Sequence, residues 1–146
     1  MLLPAQADNS YRGHKLAVWI LGFVALLNGV IGFNSAFNAR DVATNADGIP
    51  LGTFTADAAQ TAVSLFALLG IGRIVMFALC VVILFRYRSL VPVAFSLLLI
   101  DQLGGQLIHH YIPLPRVGNP PASFIIPGII GATALGLGLS LWKRSA

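Results

Sequence analysis

The sequence is short of charge. Asp, Glu, Lys and Arg make up 10% of its 146 residues, while apolar residues make up 57% and the mean hydropathy is +0.84. A soluble domain of this length cannot hide so much apolar surface, which points to a polytopic membrane protein of one domain, 1–146. Cysteine is almost absent. Cys80 stands alone in an apolar run, which excludes an internal disulfide and any cysteine-based metal spacing. Catalytic signatures are missing too: there is no Walker loop, no GxSxG, no HExxH and no dinucleotide fingerprint. Ser64, Ser96 and Ser140 have no adjacent base that would make a nucleophile of them. The residues therefore assign no reaction. Internal repeats and low-complexity segments are lacking as well. The net charge of +4 is no nucleic-acid signal, because the basic residues sit beside apolar runs, as topology determinants do.

What is present is four apolar runs, at about 16–37, 58–85, 90–111 and 122–142. Each is near or above the roughly 20 residues that a helix needs to cross the hydrocarbon core. Backbone polar groups find no water there, so the runs are expected to be helices. Their spacing predicts an all-α fold, an antiparallel four-helix transmembrane bundle. Asp57 with Gln60 reads as the N-cap and capping-box pair of the second helix. Ser89 reads as the cap of the third, with Pro92 tolerated in its first turn. "GNPPAS" breaks the chain before the fourth, in which Pro127 is a candidate kink.

The charges orient the bundle. Arg12, Lys15, Arg86, Arg88, Lys143 and Arg144 fall on one side, Arg40 and Arg116 on the other. The positive-inside rule then places both termini in the cytoplasm of a bacterial inner membrane, with Trp19 and Trp142 at the cytoplasmic interface. The first helix has a longer apolar core than a signal peptide and no small-x-small site after it, so it is expected to be retained. The longest connection, about 38–57, has turn chemistry at Asp47-Gly48 and Pro50. It reads either as a solvated loop or as a small cap over the extracytoplasmic end.

Three polar residues reach one depth. Arg73 lies 12 residues from Phe85, Asp101 11 from Leu90 and Asn28 12 from Leu16. At about 1.5 Å per residue, each is roughly 17–18 Å from the cytoplasmic end of its helix. The expectation is an Arg73–Asp101 ion pair on adjacent helices, with Asn28 beside it, since ionised residues inside a membrane are usually paired. With Asp101 at zero, Gln102 lies at about 100°, Gly105 at 40°, Gln106 at 140° and His109 at 80° around the third helix. These residues share a face that leads outward from the layer, and Gly104 and Gly105 leave space beside it. Two readings stand. The layer either fixes helix register, with amides bonding across helices, or forms a pocket of Asn28, Arg73, Asp101, Gln102, Gln106 and His109 for a polar head group or a proton.

Other features narrow the field. Adjacent residues on a helix point about 100° apart, so His109 and His110 cannot easily share a metal. His14 lies at the opposite face, which leaves no second axial ligand for an intrachain haem. Gly128, Ala132, Gly136 and Ser140 recur every four residues as a small-residue stripe suited to helix packing, within the bundle or against an oligomer partner or larger complex. Small multidrug exporters carry a lone carboxylate in the first helix, where this chain has Asn28.

With its four spans, longer first loop, glycine-rich second helix ("LLGIGRIV") and polar third helix, the chain resembles the DoxX-like group of small four-span bacterial membrane proteins. The likeness covers most of the chain but rests on no specific motif. It implies contact with quinone or lipid and transfers no catalytic residue. The leading expectation is thus a protein that binds an amphipathic ligand, a quinone or a lipid head group. A non-catalytic accessory subunit of a larger membrane complex is the alternative, and a proton-coupled transporter working as a dimer is a third.

Overall fold

The computed structural model describes residues 7–142. Lys143 and Arg144, two of the basic residues used for orientation, lie outside the described residues. Within them the chain is helical. The elements are α1 (Lys15–Phe37), a single turn α2 (Ala39–Asp41), α3 (Ala56–Arg86), α4 (Val91–Tyr111) and α5 (Ala122–Leu141). α1, α3, α4 and α5 are each long and apolar enough to cross a membrane. Their outward surfaces are apolar: Phe85 is 76% exposed, Phe124 71% and Ile100 69%. Side chains of this kind are stable outside a core only when the solvent is lipid.

Several hydroxyls within the spans bond to carbonyls of their own helix, as hydrocarbon favours. Thr133 Oγ1 donates to the Ile129 carbonyl at 2.7 Å and Ser96 Oγ to the Pro92 carbonyl at 2.9 Å. Helix ends depart in part from expectation. Thr55, not Asp57, caps α3, its Oγ1 accepting from the Ala58 N–H at 3.3 Å. The helix simply begins earlier, and Asp57 sits in its first turn, where a negative charge meets the positive end of the helix dipole. Ser89 does not cap α4. It lies in a 3-10 turn, Arg88–Leu90, and its hydroxyl accepts from the Asp8 N–H at 3.0 Å and donates to the Asp8 carbonyl at 2.9 Å. Pro92 is in the first turn of α4 as expected. α5 runs on through Pro127.

α1 is the central element. It packs along most of its length on α3 and more briefly on α5, which in turn meets α4. The α1–α3 contact is a close backbone approach. A Cβ on Gly32 would lie 3.0 Å from the Ile74 nitrogen and 3.1 Å from the Gly70 carbonyl oxygen. One on Gly70 would collide with the backbone of Ser35 and Ala36. The main core, on one side of this crossing, is Ala17, Leu21, Val24, Cys80, Ile83, Phe95 and Leu98. Of the small-residue stripe on α5, Gly136 lies against the Phe95 ring and Ser140 is buried, so both serve the bundle. Gly128 faces open space.

The two ends differ. At one, the His14 N–H donates to the Leu139 carbonyl at 3.2 Å, and Asp8 holds Ser89 in the α3–α4 turn. Arg88 Nε donates to the Leu84 carbonyl at 2.9 Å, closing the end of α3. At the other end the bundle opens on one side. The fully buried residues of α4 stop at Leu98, and those of α5 start at Ile129. α3 and α4 touch only slightly despite their short connection.

The long connection is a folded cap. After α2 comes one π-helical turn, Val42–Ala46, then a 3-10 turn, Leu51–Thr53. Ala43, Ile49 and Leu51 are buried against Phe54, Ala62, Val63 and Phe66. α3 makes this possible. Its 31 residues span about 46 Å, against a hydrocarbon core of about 30 Å, and its first turns form the wall on which the cap packs.

The glycine crossing yields a prediction. Gly70→Ala should destabilise the protein by about 3 kcal/mol, because backbone rather than a movable side chain meets the new methyl. Gly72→Ala, on the same helix with nothing within 4 Å, should change stability by no more than about 1 kcal/mol. Thermal unfolding in detergent, followed by circular dichroism, compares the two.

Candidate functional site

α4 changes character along its inward stripe. Val91, Ala94, Phe95 and Leu98 are buried, and the same stripe continues as Gln102, Gly105 and His109, which are half-buried. These positions recur at intervals of three and four, as one helix face requires. An apolar face thus becomes polar just where the bundle opens. Gln102 carries the tension of that change. Both its amide atoms are buried and have no hydrogen-bond partner among the described residues. A Cβ added to Gly104 or Gly105 would meet nothing within 4 Å, so space lies beside this stretch of helix.

The α1–α3 pair carries the other inward polar residues. Asn28 is buried on α1, and its Nδ2 donates to the Val24 carbonyl at 3.0 Å. Its Oδ1 accepts from Arg73 Nη1 at 3.4 Å. Arg73 is on the inward face of α3 and half-buried. It reaches Asn28 because Gly32, one turn further along α1, lets the two helices approach, with Arg73 Cβ 3.0 Å from where a Gly32 Cβ would stand.

The Arg73–Asp101 pair expected from depth is not formed. Asp101 is exposed, and no cation lies within 4 Å of it among the described residues. A shared depth does not set direction. Asp101 is about 70° from the centre of the inward stripe, and α4 stands away from α3. Gln106 is likewise exposed, on the other flank. Of the six candidate residues, the inward set is Asn28, Arg73, Gln102 and His109.

The cap supplies a carboxylate of its own. Asp47 Oδ1 lies 3.7 Å from Arg116 Nη2. The Val117 N–H donates to the Gly48 carbonyl at 2.8 Å, tying the 112–121 connection to the cap. Gly48 has φ 71°, and a Cβ there would meet the Val117 carbonyl oxygen at 3.0 Å, so glycine is required by conformation and by contact. Burial raises the Asp47 pKa above its ordinary 3.8, against the opposing pull of Arg116, Arg73 and His109 in that order. Of the three, Arg116 alone comes within 4 Å of the carboxylate, and Arg73 and His109 act on it from beyond that distance. Arg116 Nε is itself buried with no acceptor among the described residues.

Sequence reasoning missed Asp47 and Arg116, reading the first as turn chemistry and the second as a topology charge. One signal was available. The chain has five acidic residues, all aspartates, and of these only Asp47 belongs to a glycine turn that can fold back over the bundle.

A separate apolar groove of about 420 Å³ runs along the outer side of α1 and α3, past Val30, Phe33 and Phe77 to Asn34 and Asn38. It is a lipid-facing surface and does not include the charged cluster. No family model, curated protein or solved structure matches this chain.

Asp47 makes stability depend on pH in a defined direction. Its raised pKa means that the folded state holds the proton more tightly than the unfolded state. The stability this contributes is complete below pH 3.8 and is lost as pH rises through the raised value. Asp47→Asn should therefore have a Tm at neutral pH at least equal to that of the wild type, and its advantage should vanish towards pH 3.8. Tm measured against pH for both proteins checks this. A variant that is less stable at neutral pH and gains on acidification would contradict it.

Proposed function

We propose that this protein is a small multi-pass protein of a bacterial inner membrane that binds an amphipathic ligand, a quinone or a lipid head group, beneath its cap. In this reading the four spans form an antiparallel bundle with both termini cytoplasmic. The tether of Asp8 to Ser89 and of His14 to Leu139 supports it, because Arg12, Lys15, Arg86 and Arg88 then share one end. The single observation that carries the ligand reading is the unpartnered Gln102 amide, set on the polar stripe of α4 beside open space. Structural polar layers in membranes satisfy themselves, and this one leaves donors and acceptors free.

Each residue then has a role. Arg73, held by Asn28, meets the anionic or carbonyl end of the ligand. Gln102 supplies hydrogen bonds, and His109 stands below the cap. Asp101 and Gln106, exposed on the flanks of α4, line the approach from the membrane. The ligand's apolar part stays among the lipid-facing side chains of the open side. The likeness to the DoxX-like group favours a quinone or lipid and forms part of the proposal.

Asp101 gives the accessory-subunit reading its one specific support. A carboxylate left bare to lipid costs about 2.5–3.5 kcal/mol, and a partner subunit over this flank would remove that cost.

Two measurements test the proposal. Calorimetry with a short-chain ubiquinone and a short-chain phospholipid should find binding of at least one. Gln102→Leu should weaken it at least tenfold, while Gly72→Ala leaves it within twofold. A folded protein that binds neither fails the proposal. For orientation, a fluorescent protein fused after residue 146 should fluoresce, and alkaline phosphatase inserted in the 38–57 loop should be active. The reverse pattern overturns the topology.

A further inference from the structure

The free groups of the site are unequal in kind, and their imbalance identifies the ligand's chemistry. Arg73 offers the five N–H donors of a guanidinium and spends one on Asn28, at 3.4 Å. Arg116 Nη2 faces Asp47 at 3.7 Å, which is an ion pair but too long for a hydrogen bond. Arg116 Nε and Gln102 Nε2 are buried with no acceptor among the described residues. Against these donors stand the Asp47 carboxylate and Gln102 Oε1. Two guanidinium charges act on one carboxylate, Arg116 at 3.7 Å and Arg73 from beyond 4 Å, so the group keeps a positive remainder before His109 is counted. Burial also makes Asp47 a reluctant counterion.

We propose that the head group held in this site is a phosphate, gripped jointly by Arg73 of α3 and Arg116 of the 112–121 connection. This rests on the ligand-binding reading above and sharpens it. A quinone carbonyl accepts hydrogen bonds but carries no charge, and would leave the remainder uncompensated in a poorly hydrated place. A planar carboxylate presents its two oxygens in one plane. A phosphate presents oxygens in several directions, which suits arginines arriving from a helix and from a loop, and forms strong charge-assisted bonds to each. Gln102 Oε1, an acceptor without a donor, suits a P–OH or a hydroxyl or amine of the head group.

The phosphate could belong to a phospholipid or be free in solution. The test uses the full-length protein in a neutral detergent, with dihexanoyl phosphatidic acid, sodium phosphate and a short-chain ubiquinone as separate probes in calorimetry and thermal unfolding. Phosphatidic acid should bind and raise Tm, and Arg116→Gln should cut its affinity at least tenfold, with Arg116→Lys intermediate. Arg116 lies in a connection rather than a span, and near-wild-type circular dichroism of the variant secures the comparison. Phosphatidic acid binding at least tenfold tighter than sodium phosphate identifies a lipid source, and equal affinities identify free phosphate. Both results support the phosphate site. Tighter binding of ubiquinone than of phosphatidic acid, or unchanged phosphatidic acid affinity in Arg116→Gln, overturns the phosphate assignment and leaves the ligand site standing. Failure of every probe to bind the folded protein overturns both.

Discussion

The close backbone crossing of α1 and α3 at Gly32 and Gly70 governs the rest of the molecule. Helices in lipid gain nothing from hiding apolar surface from each other, because lipid is as apolar as they are. They associate through close packing, and glycine permits the closest. Here the crossing fixes the register of the two longest helices. It places Asn28 within reach of Arg73 and so decides where a guanidinium can survive inside the protein. The lower core builds on this pair, with Phe95 of α4 lying against Gly136 of α5 as the second close contact.

The other helices are less constrained, and the chemistry gathers where the constraint ends. α4 is embedded through Leu98 and stands away beyond it, at the point where its stripe turns from Leu98 to Gln102. Gln102, whose buried amide its own helix does not satisfy, stands at that point. The two connections at that end meet through Gly48 and Val117, and bring with them the Asp47 and Arg116 charges. The site is a joint product of a rigid helix pair and two folded connections.

The sequence made the spans legible, since hydropathy and the roughly 20-residue length rule bear on each helix separately. It also let depths be estimated along each helix, because the helical rise is constant. It could not show azimuth. Arg73 is half-buried on the inward face of α3, yet Asp101 is exposed on α4, because a count of residues carries no rotation and α4 stands away from α3. The caps failed for a similar reason: Ser89 has the chemistry of an N-cap, but Asp8, 81 residues away, takes its hydroxyl. Asp47 and Arg116 were illegible as partners because their meeting is a long-range event between two connections that local turn propensities do not encode.

The extra length of α3 has a mechanical meaning. A rigid rod longer than the hydrocarbon slab responds to a change in slab thickness by tilting. The cap rides on the protruding turns of that rod through Ala62, Val63 and Phe66, while the Arg116 connection hangs between α4 and α5. Tilt of α3 alone would slide one half of the roof past the other, along the seam between Gly48 and Val117. Bilayer thickness would then bear on the Asp47–Arg116 pair at that seam.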